Sequence, residues 1–410
     1  MLKAIFKKIL KSSLLTRAGL SLNNIGLLMS MEHLLWFFKI VSIPTLKITH
    51  NLPQKVTQDD ILICERLIKA YQKATADERM ANSSKSELWL SIIKDNYGKL
   101  LNAIESNDPE KVATIFSSFF KEKFSMGLTS GDLYEHAKNP VGAKIWSLKY
   151  HDNIVALAEY LGVVRNDSPE QGKIAYELKD GVDTIVKKTE EALGVTIGFP
   201  DVGAPYGVKI NGSLITMEHP ENIFVALRVQ EAIKTHLPHR AGKNLNFLEI
   251  VGGLGETAFF ILKQRKVSVE NYISIDLPVI NIFQGYFLSK VFGASKVRLF
   301  GENKTEDTVF SVFPPQAIGS LKDIDFDVLF NQNSLPEIPE DSILEYLNFA
   351  RKHLSGIFVS YNHEAYAPVG GVPQNLPPEI ISRAGGFKRL SRTKSWLRSA
   401  YVEEIYKVVG

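Results

Sequence analysis

The stretch Asn246-Phe-Leu-Glu-Ile-Val-Gly-Gly-Leu-Gly-Glu-Thr-Ala-Phe-Phe260 decides how the chain is read. Phe247 to Val251 is a short apolar run broken only by Glu249, the pattern of a parallel strand buried on both faces. Gly252, Gly253 and Gly255 interrupt it, and Glu256 to Lys266 follows with Ala258, Phe259, Ile261 and Leu262 on one helical face. A strand that turns through glycines into a helix leaves unpaired N–H groups open to a ligand, with no side chain in the way. This is a cradle of nucleotide type. Gly253-Leu-Gly255-Glu-Thr-Ala258 also fits G-x-G-x-x-A, so the residues allow a dinucleotide as well. Twenty-three residues after Gly253, Tyr272-Ile-Ser-Ile-Asp276 supplies a second strand ending in an acid, where a ribose diol is held. A ribose-bearing ligand is expected, with its other half left open.

Downstream, strand and helix keep alternating. Pro278 to Phe292 reads as a helix, Val297 to Phe300 as a third strand with Glu302 at its tip, and Phe326 to Phe330 as a fourth leading into Asn331 and Asn333. The helix from Glu340 to Leu354 stops at Gly356, and Ile357 to Tyr361 is a fifth strand ending in Asn362-His363-Glu364. Lys388 to Arg392 and Ala400 to Val408 are expected to pair as a closing hairpin. The fold class is therefore α/β, a Rossmann-like sheet in the C-terminal half behind an all-helical N-terminal part. Ligands of open α/β sheets sit beyond the carboxyl ends of the strands. The polar groups there become the candidates: Glu249, Asp276, Glu302, Asn331, Asn333, Glu337, His363 and Glu364.

The remainder divides into basic and apolar N-terminal helices (1–45), a helical domain (46–195), a hairpin and helix forming a lid or linker (196–240) and the Rossmann-like domain (241–410). In the helical part, apolar residues recur at three and four spacing, and Asp108-Pro109 marks a helix start. In the linker, Asn211-Gly212 is a type I′ hairpin turn, and Tyr206 and His219 are placed as substrate contacts. Lys3, Lys7, Lys8 and Lys11 face Leu2, Ile5, Phe6, Ile9 and Leu10 at helical spacing, so residues 1–18 are expected either to lie on an anionic membrane surface or to dock on the body or a second subunit. The chain's 410 residues hold 48 basic and 45 acidic side chains, a balance that argues against nucleic acid as a partner. A single cysteine, Cys64, excludes internal disulfides and suits a cytoplasmic compartment, at most peripheral to the inner face of a membrane.

Residues 247–408 resemble class I S-adenosylmethionine-dependent methyltransferases, and more closely the sugar O-methyltransferases found with bacterial surface-polysaccharide (O-antigen) biosynthesis. The resemblance rests on Phe247-Leu-Glu-Ile-Val-Gly-Gly-Leu-Gly255, Ile275-Asp-Leu-Pro278 with Tyr286-Phe-Leu288, and Asp327-Val-Leu-Phe-Asn331 with Asn333-Ser-Leu-Pro-Glu337. Val251, where the family more often has glycine, and Gln332-Asn333 depart from the pattern. The resemblance implies S-adenosylmethionine as cofactor, held by Glu249, Gly252, Gly253, Gly255 and Asp276, with Leu277, Glu302 and Asn331 beside it. It implies a saccharide acceptor, whether a nucleotide sugar, a lipid-linked chain or a polymer, with Asn333 on the acceptor side. His363 is the leading candidate for the base that takes the hydroxyl proton, with Glu337 and Glu364 as further catalytic candidates. Those three also form an oxygen-rich set suited to magnesium or manganese, although no ligand spacing is diagnostic of a metal site. Two other classes stay open: a nicotinamide-dependent oxidoreductase using the same glycine loop, and a non-catalytic scaffold of a polysaccharide assembly complex. Homo-oligomerisation is left open too.

Overall fold

The computed structural model describes residues 44–76, 86–125, 128–129, 135, 138–164, 180–364, 368 and 372–409. The lysine-faced segment 1–18 and the apolar run after it lie outside them. Among the described residues no helix is long and apolar enough to cross a membrane.

The chain begins with a short strand β1 (Ile48–His50) and the helix α1 (Gln58–Thr75). A capping box starts α1: the Thr57 hydroxyl accepts from the Asp60 amide, and the Asp60 carboxylate accepts from the Thr57 amide. The same carboxylate, buried, pairs with Lys290 at 2.6 Å and accepts from the Tyr286 hydroxyl at 3.0 Å. The helix that opens the described chain is thereby tied to one far along it. Next come α2 (Glu87–Asn96) and α3 (Gly98–Glu105), which are separated at Tyr97. α4 (Pro109–Phe116) starts as predicted, Asp108 accepting from the Lys111 amide with proline in the first turn. α5 (Pro140–Tyr160) and α6 (Val182–Leu193) complete the helical half.

β2 (Tyr206–Ile210) and β3 (Ser213–Ile215) form the expected hairpin, with Asn211 at φ +50° and Gly212 at φ +83°, and β1 adds to its edge. α7 (His219–His236) leads from it to the main sheet. That sheet is built from β4 (Asn244–Ile250), α8 (Glu256–Gln264), β5 (Ser268–Ile275), α9 (Pro278–Phe292), β6 (Val297–Leu299), β7 (Phe310–Phe313) and β8 (Phe326–Gln332), and then α10 (Glu340–His353), β9 (Leu354–His363), α11 (Pro377–Ala384), β10 (Phe387–Lys394) and β11 (Tyr401–Val408). Its order is β10-β11-β9-β8-β4-β5-β7-β6. The pairings from β9 through β8, β4, β5 and β7 to β6 are parallel, whereas β11 runs antiparallel to both its neighbours. β7 was not read from the sequence; it inserts between β5 and β6, so the Glu302 tip stands at the sheet's far edge.

Alternation along the central strand shows why it is apolar throughout. Leu245 and Phe247 point into a core shared with α7, α8, α9 and the helical half, while Leu248 and Ile250 join the core under α10 and α11. In the first core Tyr97, Phe116, Phe119 and Phe124 surround Phe283, with Phe116 and Phe283 centroids 5.1 Å apart. The helical half and the sheet therefore bury apolar surface against each other.

Candidate active site

The glycine loop leaves β4 through three left-handed residues, Val251 (φ +57°), Gly253 (φ +56°) and Gly255 (φ +88°), the last capping α8. For valine, branched at Cβ, this conformation is strained by about 1–3 kcal/mol. Its amide bonds the Ile275 carbonyl at 2.7 Å, which holds it there. Val251→Gly is expected to raise the unfolding free energy by about 1 kcal/mol, the relieved strain being partly offset by glycine's greater freedom when unfolded. A lowered urea midpoint in that variant would contradict the assignment of strain.

Gly252 is needed for a different reason. A Cβ there would stand 2.4 Å from the Ser274 hydroxyl, 2.5 Å from the Gln284 amide nitrogen and 2.6 Å from Glu249 Oε2. Those three atoms are buried and have no hydrogen-bond partner among the described residues. Unpaired polar atoms beneath a bare backbone are what a polar ligand group reaching into the turn would satisfy.

Asp276 ends β5 and is 2% exposed. Its Oδ2 accepts from the Gly253 amide at 2.9 Å and its Oδ1 from the Leu277 amide at 2.7 Å. Each oxygen keeps a further lone pair for a ligand hydroxyl. Burial pushes this carboxyl up to about 7, against the pull of the two amides. Burial likewise pushes Glu249 up to about 8, with Tyr272 opposing and the Asp276 charge adding to it.

Loop and Asp276 open on a cavity of about 420 Å³. Its opposite wall carries Glu218, Glu221 and Asn222 from the start of α7, Glu337 after β8, Trp89 from α2, Arg398 from the β10–β11 turn and Tyr401 at the start of β11. Arg398 bonds both Glu221 oxygens at 3.2 Å and lies 4.0 Å from the Tyr401 ring centroid. The Trp89 indole donates to Glu337 at 3.2 Å. Burial raises the Glu337 carboxyl, and Trp89 and Arg398 act the other way. Between the two walls, Glu256 accepts from Asn222 at 2.9 Å and pairs with His219 at 3.1 Å, while Gln332 bonds Asn222 at 2.8 Å and Thr257 at 2.6 Å.

Of the residues named from the sequence, Glu249, Gly252, Gly253, Gly255, Asp276, Asn333 and Glu337 line this cavity. The others do not. Glu302 is clamped by Arg66 through two 2.8 Å bonds and accepts from the Leu299 amide, a strap between α1 and the sheet edge. Asn331, fully buried, bonds the Ile250 carbonyl and Ser334 and accepts from Asn362, so it orders the strand ends from behind. Leu277 packs against the core, its amide serving Asp276. Tyr206 pairs with His50 in the small sheet and belongs to the core. His219 is fully buried behind Glu256, and burial lowers its pKa although Glu256 opposes this.

His363 pairs with Tyr401 across β9 and β11 and is kept off the cavity, its ring 5.6 Å from that of Tyr401. Burial and the Arg398 charge lower its pKa, while Gln374 acts the other way. Glu364 is taken up by Arg392 in a two-bond pair at 2.6 and 2.5 Å. Glu337, His363 and Glu364 are thus not assembled as ligands, and among the described residues no group of three His, Cys, Asp or Glu side chains could hold a metal ion. The sequence reading missed Glu218, Glu221, Asn222, Glu256, Arg398 and Tyr401. For Glu218 the available signal was its place beside His219-Pro220 at a helix start.

A parallel sheet with one antiparallel strand, a glycine loop after its central strand and an acid at the tip of the next define a Rossmann-like α/β fold. No protein-family model and no curated protein matches the chain. Among solved structures it is similar to an O-methyltransferase from Bacillus cereus in complex with SAH, at 14% identity over 46% of this chain and 80% of that one with TM-score 0.31. It is similar to the CcbJ methyltransferase from Streptomyces caelestis, at 15% identity over 47% and 90% with TM-score 0.32. A third likeness is to the N-terminal domain of EvdMO1 in the presence of SAH and D-fucose, at 13% identity over 49% and 88% with TM-score 0.31.

Proposed function

We propose that this protein is an S-adenosylmethionine-dependent O-methyltransferase whose acceptor is a sugar hydroxyl of a surface polysaccharide or its precursor. The observation that carries the reading is Asp276, held by the Gly253 and Leu277 amides at the mouth of the glycine turn and open to the cavity. In this reading Asp276 accepts from the ribose hydroxyls and the Gly252–Gly255 backbone lies against the cofactor. Glu249 with the unpaired groups under Gly252 meets its amino end. The cofactor supplies an electrophilic methyl group on a sulfonium, and the chain's part is to bind, align and take up a proton. The wall of Glu218, Glu221, Asn222, Glu337 and Arg398 offers hydrogen-bond acceptors and donors of the kind a polyhydroxylated ring needs, with Trp89 and Tyr401 as apolar surfaces.

The raised carboxyls set a pH dependence. Asp276 at about 7 and Glu218 and Glu249 at about 8 all lie above ordinary carboxylate values, so between about pH 4 and 8 the folded chain holds protons that the unfolded chain has released. That stabilisation is fully present below pH 4 and is lost as pH rises through 7 to 8. A cationic cofactor favours the ionised forms, so its affinity is expected to rise between pH 6 and 8.5, by up to about tenfold per unit for each coupled group. Calorimetric titrations across that range check this, and a flat profile would contradict it. The reaction itself is tested by incubating the protein and methyl-labelled S-adenosylmethionine with bacterial surface-glycan extracts. Label appearing in a methyl ether upon linkage analysis supports the reading. Label confined to protein, nucleic acid or small amines would oppose it.

A further inference from the structure

We propose that Glu218 is the base that removes the acceptor's hydroxyl proton, an inference that rests on the methyl-transfer reading above. Apart from Glu249 and Asp276, four carboxylates line the cavity, and three of them have side-chain partners. Glu221 is paired with Arg398, Glu256 is held by His219 and Asn222, and Glu337 accepts from the Trp89 indole. Glu218 lines the same cavity and, among the described residues, receives a hydrogen bond only from its own amide. It is the one of the four with no side-chain partner among the described residues, which leaves it the most acceptor capacity for a substrate proton.

Its position is fixed by the residue's place in the fold. Glu218 stands at the N-cap position of α7 without a side-chain capping bond, and His219, the next residue, is held in the core against Glu256 and the Phe260 ring, which anchors the backbone beneath Glu218. Four groups face it: Glu221 one turn along α7, Glu256 at the start of α8, Arg398 on the β10–β11 turn, and Tyr150 on α5. Burial raises its pKa first, to about 8, Glu256 and Glu221 add to this, and Arg398 opposes. An arriving sulfonium lowers it again, so the carboxylate is ionised when the cofactor is bound and regains proton affinity as that positive charge is consumed. In the transfer the acceptor's O–H proton passes to a Glu218 oxygen and the freed oxygen pair forms the new C–O bond. The electrons of the broken C–S bond return to sulfur, leaving a methyl ether, a neutral thioether and a protonated Glu218.

Two measurements on the full chain and its Glu218→Gln variant test this. The first compares the affinities of S-adenosylmethionine and S-adenosylhomocysteine, and the proton release on binding each, in buffers of different ionisation enthalpy. Wild type is expected to prefer the cation and to release protons near pH 7.5. The variant should lose about tenfold of that preference and Glu218's share of the release, with Asp276 and Glu249 supplying the remainder, while binding the neutral thioether as before. The second follows turnover with labelled cofactor on methyl hexosides, UDP-hexoses and surface-glycan extracts. A loss of about two to four orders of magnitude in kcat is expected, together with loss of the acid limb of the pH profile. An unchanged cation preference, or turnover within a few-fold of wild type, overturns the proposal, as does a Glu337→Gln variant that loses turnover while Glu218→Gln keeps it. If the wild type binds neither compound, the methyl-transfer reading falls and Glu218's role falls with it.

Discussion

Asp276→Ala is expected to weaken S-adenosylmethionine binding by about two to four orders of magnitude at pH 8 and to leave the fold intact. A hydrogen bond to a charged group contributes about 1.5–3 kcal/mol, two such bonds to a ribose diol contribute about 3–6, and each 1.4 kcal/mol is a factor of ten. The substitution also frees the Gly253 and Leu277 amides that the carboxylate now holds, so part of the loss comes from a loosened loop. Asp276→Asn separates the contributions, since one amide oxygen can still accept from the loop but the second acceptor becomes a donor. The asparagine variant should fall between wild type and alanine. Calorimetric affinity for S-adenosylmethionine is the readout, and an affinity unchanged in the alanine variant would remove the ribose assignment.

Arg228→Ala is expected to destabilise the protein by about 3–5 kcal/mol. Arg228 on α7 reaches Glu403 on β11 through bonds of 2.9 and 2.6 Å, and Glu403 is only 2% exposed. Removing the guanidinium leaves a buried carboxylate without its partner, which costs far more than the intact pair contributes over an apolar substitute. The double change Arg228→Met with Glu403→Leu is therefore expected to recover most of the loss. Denaturant unfolding of the wild type and the two variants checks this, and a single alanine variant within 1 kcal/mol of wild type would contradict the account. The pair also fixes the angle at which α7 presents Glu218, Glu221 and Asn222 to the cavity, so cofactor affinity should fall along with stability.

What was legible in the sequence was whatever depends on near neighbours. Phe247 to Gly255 and Tyr272 to Asp276 read correctly as strand, glycine turn and acid-tipped strand because a buried central strand must be apolar on both faces and its exit turn needs left-handed residues. The Asn211-Gly212 hairpin and the Asp108-Pro109 helix start are equally local. Strand-end polar residues were less legible, because their value depends on the strand's place in the sheet. Glu302 ends an edge strand and meets Arg66 of α1 instead of a ligand. His363 does end a parallel strand, but β11 folds in beside β9 and delivers Tyr401 and Arg398 to the wall in its place. That insertion joins residues about forty positions apart, and no local pattern announces it. Glu218 is hidden for a related reason, since α7 is read easily as a helix while the cavity it faces is closed by elements on both sides of it.

The proposed binding of a sulfonium cofactor in this cavity is tested by titrating the purified chain with S-adenosylmethionine, S-adenosylhomocysteine and NAD at pH 8 in a calorimeter. One site per chain for both S-adenosyl compounds, and no heat from NAD, is the expected result. Saturable binding of NAD with none of either S-adenosyl compound would contradict the claim and return the glycine loop to a dinucleotide.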